Sequence, residues 1–276
     1  MIPAAETTSS SRDARHLLTY DDDRYRVQVV DRVLEILEAF SIDTPELGVS
    51  ELSRAIGLNK GTAHRLLSAL ERHRLVEQDQ TTGRYHLGLR LWELGNRAVA
   101  RLELPGPAMP ALHQLSHETG ETAHLAVLDD NEVLYIAKVE SKRPLRIPSQ
   151  VGKRLPPHCT SIGKALLASL SEAELQSVLQ ARGLPRFTPY TISDPDVLRS
   201  ELALIRQRGF ALDREELEEG LRCVGAPIRD RSAQVVAAIS VAGPSVRVNE
   251  AETPRLVEAV LRAADSISQS LGSPAA

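Results

Sequence analysis

Cysteine is almost missing from this 276-residue chain, with Cys159 and Cys223 the two present. Two distant thiols exclude a disulfide scaffold and a paired CxxC zinc site, so free thiols are expected. Long apolar runs are also missing. The longest, such as Val235 to Ile239, fall far short of the roughly 20 residues a membrane-spanning helix needs, and no span is expected. The N-terminus has no apolar stretch between basic residues and a small-residue cleavage site, so no secretory signal is read and the expected compartment is the cytoplasm. There is no surplus of basic charge either. Against 37 acidic residues stand 33 Lys and Arg, for a net charge of −4, so the chain is not a basic coat for nucleic acid and any polyanion site must be local. No internal repeat is found. What is present is an ordinary composition, 42% hydrophobic and 25% charged, which predicts a packed core. The length corresponds to two domains at roughly 100–200 residues each.

Residues 1–24 join Thr7-Thr8-Ser9-Ser10-Ser11 to the acidic run Asp21-Asp22-Asp23 with few apolar residues, and are read as a disordered tail. From Val27 the apolar positions Val27, Val30, Val33, Leu34, Leu37 and Phe40 recur at helical spacing, with Asp43-Thr44-Pro45 as the stop. Ser50 is the expected N-cap of a short helix over Glu51 to Ile56, which Gly57 ends. Asn59 caps the next helix, where Ala63, Leu66, Leu67 and Leu70 make a dry stripe while Gly61, His64, Arg65 and Ser68 make a wet face. Two helices joined by a glycine turn in this way form a helix-turn-helix. Leu75 to Gln78 and Arg84 to Leu87, around the turn Asp79 to Gly83, are read as two short strands forming a wing. Between Val49 and Arg90 there are seven Lys or Arg and four acids, so this segment is basic while the remainder is acidic, the asymmetry of a local nucleic-acid site.

Leu87, Leu91, Leu94 and Ala98, with Trp92 beside them, predict a helix with an apolar seam that ends before Pro105-Gly106-Pro107. Beyond that punctuation the pattern alternates. Strands are expected over Thr122 to Leu128, Glu132 to Val139, Gly225 to Ile228 and Gln234 to Val241. Helices are expected over Met109 to Thr119, Ile162 to Leu170, Glu172 to Ala181, Pro195 to Arg208 and Glu250 to Leu271. Such alternation predicts an α/β or α+β domain.

The segment Gly48 to Val76, with Ser50-Glu51-Leu52, Gly57-Leu58-Asn59-Lys60-Gly61-Thr62 and His64-Arg65-Leu66-Leu67, resembles the winged helix-turn-helix of the IclR family of bacterial transcriptional regulators. Further blocks follow in order: Thr119-Gly120-Glu121-Thr122, Leu155 through Ala168, Arg208 through Asp213, Glu216 with Gly220, Cys223 through Ile228 and Ala237 through Val241. The resemblance spans about Arg24 to Leu271. It implies an α+β chain: a DNA-binding domain over 25–87, a connecting helix over 88–104 and a GAF-like α/β effector-binding domain over 105–276. It also implies a homodimer or tetramer whose affinity for double-stranded operator DNA is altered by a small metabolite.

On the DNA side, the helix opening at Asn59 offers free N–H groups and a positive dipole end to a phosphate, with Lys60, Gly61, Thr62 and Ser68 around it. Arg65, with His64 beside it, is the candidate for a guanine edge, and Arg84 of the wing for a minor groove or the backbone. The bland reading of the same residues is a solvated helix and hairpin. On the effector side, the loop ending at Ser161 feeds a helix start suited to a small organic acid. By resemblance the ligand-contacting positions are Leu145, Ile147, Ser161, Ile162, Gly163, Cys223 and Ser240. Cys223 reads equally well as a small core residue, and the Leu87 to Ala98 seam either packs within its own chain or makes a dimer contact. No cofactor, structural metal or catalysis is called for. A nucleophilic Cys159 with His158 would need an oriented base and an oxyanion hole, and a phosphate loop would need glycine where His158 stands. Two competing classes remain: a small-molecule enzyme carried by His158, Cys159 and Cys223, and a nonspecific architectural DNA binder.

Overall fold

The computed structural model describes residues 27–145 and 149–274. The expected tail over 1–24 and the candidate Ile147 lie outside the described residues. The chain divides into two compact units between Asn96 and Arg97.

The first unit holds α1 (Gln28–Glu38), α2 (Val49–Ala55), α3 (Lys60–Arg72) and a hairpin of β1 (Val76–Gln78) and β2 (Tyr85–Leu87). Its core gathers Ile36, Phe40, Leu47, Leu52, Leu67, Leu70, Val76 and Tyr85. The face that α1 buries differs from the stripe read in the sequence. Ile36 and Phe40 are buried and Val33 and Leu37 pack beside them, while Val27, Val30 and Leu34 are about half exposed. Two overlapping apolar stripes have the same period, and only packing decides between them. Gly48, not Ser50, caps α2, because Glu51 reaches back to accept the Gly48 N–H at 2.8 Å and satisfies that donor without a hydroxyl at position 50. The turn between α2 and α3 is fixed twice: Ser53 Oγ donates to the Leu58 carbonyl at 2.5 Å and the Leu58 N–H donates to the Ser53 carbonyl at 3.0 Å. Asn59 caps α3 as its sequence position predicts, with Oδ1 accepting from the Thr62 N–H at 2.8 Å. At the wing tip Asp79 accepts the N–H groups of Thr81 and Thr82, each at 2.7 Å.

The unit boundary falls inside α4 (Arg90–Ala100), which buries none of its residues. The Pro105-Gly106-Pro107 cluster, read as an interruption, opens α5 (Pro105–Thr119) instead. Proline is suited to the first turn, where its missing N–H leaves no bond unmade.

The second unit is an antiparallel six-stranded sheet in the order β5 (Arg154–Leu155), β4 (Glu132–Val139), β3 (Thr122–Asp129), β8 (Val235–Pro244), β7 (Leu221–Arg229), β6 (Ala211–Arg214). Both faces are covered. Against one lie α5 and α9 (Thr253–Ser270), which bury Leu112, Leu115, Leu256 and Val260 on Leu125, Val224, Ile239 and Val241. Against the other lie α6 (Ser161–Leu167), α7 (Glu172–Arg182) and α8 (Pro195–Arg208), where Ile162, Leu166, Leu175, Leu198 and Leu202 meet Ala126, Ala211 and Ala238. Strands buried on both faces lose the polar alternation of a half-solvated strand, and β3 is buried from Thr122 to Val127. The two outermost strands, β5 and β6, were not read from the sequence. With two and four residues they are too short to show a period.

Candidate functional site

In the first unit, the first turn of α3 stands clear of the protein. Lys60, Gly61, His64 and Arg65 are exposed and Thr62 and Ser68 half-buried, while Ala63, Leu67 and Leu70 point into the core. A helix start leaves its first N–H groups without intrahelical acceptors, and the Asn59 cap takes up the one at Thr62. The remaining donors, the Lys60 ammonium and the Arg65 fork therefore share one face with nothing acidic in the first turn of the helix. Arg84 is differently placed. Its guanidinium donates to Glu51 at 2.8 Å and to the Glu46 carbonyl at 3.0 Å, tying the wing to the start of α2. To grip a phosphate it would have to exchange the Glu51 carboxylate for it. Glu51 is held below the ordinary carboxylate range by the Gly48 N–H first and then by Arg84.

In the second unit, a small cavity of about 50 Å³ lies between the opening of α6 and the sheet. His124 of β3, Ser240 and Ala242 of β8, Cys223 of β7 and Asp213 of β6 contribute to its floor, and Thr160, Ser161 and Ile162 cover it. The pairing places His124 opposite Ser240, Ser240 opposite Gly225, and Cys223 opposite Ala242. Directly opposed residues share a face of a sheet, so these side chains converge. Gly225 lets α6 approach this closely: a Cβ there would stand 2.9 Å from the Ser161 carbonyl carbon.

Four of the expected effector-side residues, Ser161, Ile162, Cys223 and Ser240, meet at this cavity. Gly163 does not line it. It is buried against the Pro157 backbone, whose carbonyl oxygen would stand 2.3 Å from a Cβ at that position, so its role is close packing. Leu145 is 61% exposed and offers its carbonyl to Arg247 at 2.9 Å rather than its side chain to the cavity. Sequence reasoning missed His124, Tyr135, Ser149, Lys153 and Asp213, all of which line the space. The available signal for His124 was a polar residue inside the apolar run Ala123 to Val127. Asp213 lies in a strand too short to be recognised.

The cavity is polar in particular ways. The buried Ser161 hydroxyl has no hydrogen-bond partner among the described residues, and neither does Nδ1 of His124. Burial pushes Asp213 up to about 7, with the Glu216 carboxylate adding to the effect and the Glu216 N–H, Lys164 and Cys223 opposing it. Burial likewise holds the Cys223 thiol protonated. Behind this wall Lys164 and Glu216 form a buried ion pair at 2.5 Å.

The enzyme reading finds no support in the geometry. Burial raises the Cys159 thiol to about 12, its sulfur lies 3.9 Å from the Pro156 carbonyl, and His158 Nε2 engages the Pro185 carbonyl at 3.0 Å. His158 is therefore turned away from acting as the base of this thiol. Among the described residues no three His, Cys, Asp or Glu side chains are grouped to hold a metal ion.

A winged helix-turn-helix joined to a sheet domain with a small polar cavity has the architecture of a DNA-binding regulator. Residues 29–80 match the IclR helix-turn-helix domain and residues 96–269 the bacterial transcriptional regulator IclR C-terminal domain. The chain belongs to the IclR family of bacterial transcriptional regulators. It is 40% identical over 249 residues to the HTH-type transcriptional regulator XynR of Escherichia coli (strain K12), covering 90% of this chain and 99% of that protein. To the regulator KdgR of Dickeya chrysanthemi it is 36% identical, over 88% of this chain and 81% of that one. Among solved structures, a transcriptional regulator from Rhodococcus sp. RHA1 superposes with a TM-score of 0.80 at 32% identity, covering 89% of this chain and 98% of that one. An IclR homologue from Microbacterium hydrocarbonoxydans, solved in complex with 4-hydroxybenzoate, gives a TM-score of 0.78 at 31% identity, with 88% and 98% covered. These relatives are named as regulators of transcription, not as enzymes, and no described helix is long and apolar enough to cross a membrane.

Proposed function

We propose that operator binding by this regulator is controlled by a small organic acid held in the cavity beneath α6. The observation that carries the reading is the unpartnered, buried Ser161 hydroxyl in a cavity that also presents Ser240 and Cys223. A buried donor without a partner costs free energy that a ligand oxygen recovers. Lys153, exposed on the cavity lining, supplies a cation for a carboxylate. The 4-hydroxybenzoate complex of the Microbacterium homologue supports a ligand of this class.

We assign DNA binding to residues 25–87, the connection to 88–104 and effector binding to 105–276. In the head, Arg65 reads a base edge in the major groove while Lys60, Thr62, Ser68 and the first N–H groups of α3 hold phosphates. His64 and Gly61 line the same approach, and Arg84 joins from the wing once Glu51 releases it. On α4, Trp92 is 69% exposed and Leu94 42% exposed, apolar surface that a second copy of the chain would cover. A homodimer then reads two half-sites about one helical turn, or ~34 Å, apart. The protein acts in the cytoplasm, where the chromosome is.

The effector can shift operator occupancy only by binding one arrangement of the heads more tightly than another. Footprinting of genomic fragments bound by the purified protein should give a discrete pseudo-palindrome. Calorimetry of a small acid with and without that operator should then give one coupling factor read from either side. Acid affinity that is unchanged by operator DNA would remove the allosteric reading.

A further inference from the structure

The floor of the cavity holds a group that the reading above leaves unused. His124 stands on β3 at the register position facing Ser240, is 1% exposed, and lines the same space as Ser161. Its ring is fixed from two sides. The face stacks on Tyr135 with centroids 4.6 Å apart at 16°, and Nε2 lies 2.6 Å from the Ser149 hydroxyl. The stack fixes the plane of the ring, and a flip within that plane would forfeit the Ser149 contact, so the protein sets the direction of Nδ1. That nitrogen is buried and has no partner among the described residues.

The imidazole is also kept neutral. Burial lowers its basicity to about 3, and the Lys138 ammonium adds to the effect; that ammonium is fixed nearby on the Ser149 carbonyl at 2.6 Å. A neutral imidazole cannot act as the counter-ion of a carboxylate. Its free nitrogen, as acceptor or donor according to tautomer, matches a neutral polar group. A hydroxyl fits either tautomer because it can donate and accept. A plain acid would bring a C–H to this position and leave the buried nitrogen unpaired, which selects against it.

Resting on the assignment of this cavity as the effector site, we propose that His124 is the specificity-determining residue of the pocket, and that the effector it admits is a small hydroxy acid. Its carboxylate engages Ser161 and Lys153, and its hydroxyl meets Nδ1 of His124. Tyr135 and Ser149 act as positioning residues through the ring they hold.

The test uses the full-length protein and matched acids: lactate against propionate, 4-hydroxybutyrate against butyrate, and 4-hydroxybenzoate against benzoate. Calorimetry should show the hydroxylated member of at least one pair binding about tenfold tighter or better. His124→Phe should abolish that preference without weakening the plain acid. His124→Asn, whose amide reaches toward the place of Nδ1, should keep part of it. In wild-type protein labelled with ¹⁵N in its histidine rings, the His124 Nδ1 resonance should move with the hydroxy acid and stay still with its plain partner, a readout that a purely structural histidine would not give. Because this measurement needs no substitution, it decides the matter even if His124→Phe does not fold. Equal binding within every pair, a still Nδ1 resonance, or a preference that survives in His124→Phe would overturn the proposal while leaving the effector site standing. Absence of binding by all six acids would instead bring down the effector-site reading, and this inference with it.

Discussion

Replacing Lys164 by Met tests the wall behind the cavity beneath α6. The Lys164 side chain is 1% exposed and that of Glu216 is 7% exposed, and the ammonium sits 2.5 Å from one carboxylate oxygen. The other oxygen has no partner among the described residues, so the carboxylate depends on this contact and on the Arg214 N–H at 3.4 Å. Methionine fills nearly the same volume, and the packing of α6 should survive. What remains is a buried carboxylate without its cation, which costs about 3–5 kcal/mol. For a domain of this size, each kcal/mol lowers the midpoint by about 2–4 °C, so the unit should melt roughly 6–20 °C lower. Urea denaturation followed by far-UV circular dichroism at pH 7 reads the effect directly. The companion variant Lys164→Met with Glu216→Gln removes the stranded charge and should recover most of the loss, since the large penalty belongs to the broken pair and not to the absence of a pair. A loss below about 1 kcal/mol in Lys164→Met, the range of an exposed pair, would refute the argument that this pair is desolvated.

Arg65→Ala should cost about 1–3 kcal/mol of operator binding and relax preference at one base pair, whereas Lys60→Ala should weaken all sequences alike and reduce the salt slope by about one. Unchanged sequence selection by Arg65→Ala, measured by randomised-site selection, would place the reading face elsewhere on α3. Asp213→Asn should alter the pH dependence of stability. Burial raises the Asp213 carboxyl from 3.8 to about 7, so the folded protein holds that proton more tightly than the unfolded chain, and stability is lost as pH rises across this window. Asparagine has no proton to lose, so the variant should gain on wild type between pH 4 and pH 7 by up to about 4 kcal/mol. Denaturation midpoints that run parallel across that range would show that Asp213 is ionised throughout.

The sequence was most legible where one element carries its own signal. Asn59 followed by a dry stripe at Ala63, Leu66, Leu67 and Leu70 is a local pattern of cap and period, and α3 forms with that cap, burying all of the stripe but Leu66, which is partly buried. Glu132 to Val139 and Pro195 to Arg208 were bounded correctly for the same reason, with turn residues or a proline at their ends. Where two patterns overlapped, as in α1, the sequence could not say that Ile36 would be buried and Leu34 exposed. The proline cluster at 105–107 was ambiguous in another way, because proline both ends one helix and opens the next.

The cavity beneath α6 was legible only in part. Ser161, Ile162, Cys223 and Ser240 were expected on it from resemblance, and they meet there. His124 and Asp213 were not found, since a lone polar residue within an apolar run gives no direction until strand register sets its neighbours. By itself, then, the amino-acid sequence determined the helix-turn-helix, the order of helices and long strands, and the local charge of the DNA-binding segment, all properties of short range along the chain. Tertiary structure alone decided that Arg84 is held by Glu51, that Gly163 packs against Pro157, and that His124 faces Ser240 across the sheet. Each joins residues far apart in sequence or turns on a close approach of backbones, and no periodicity encodes such distances.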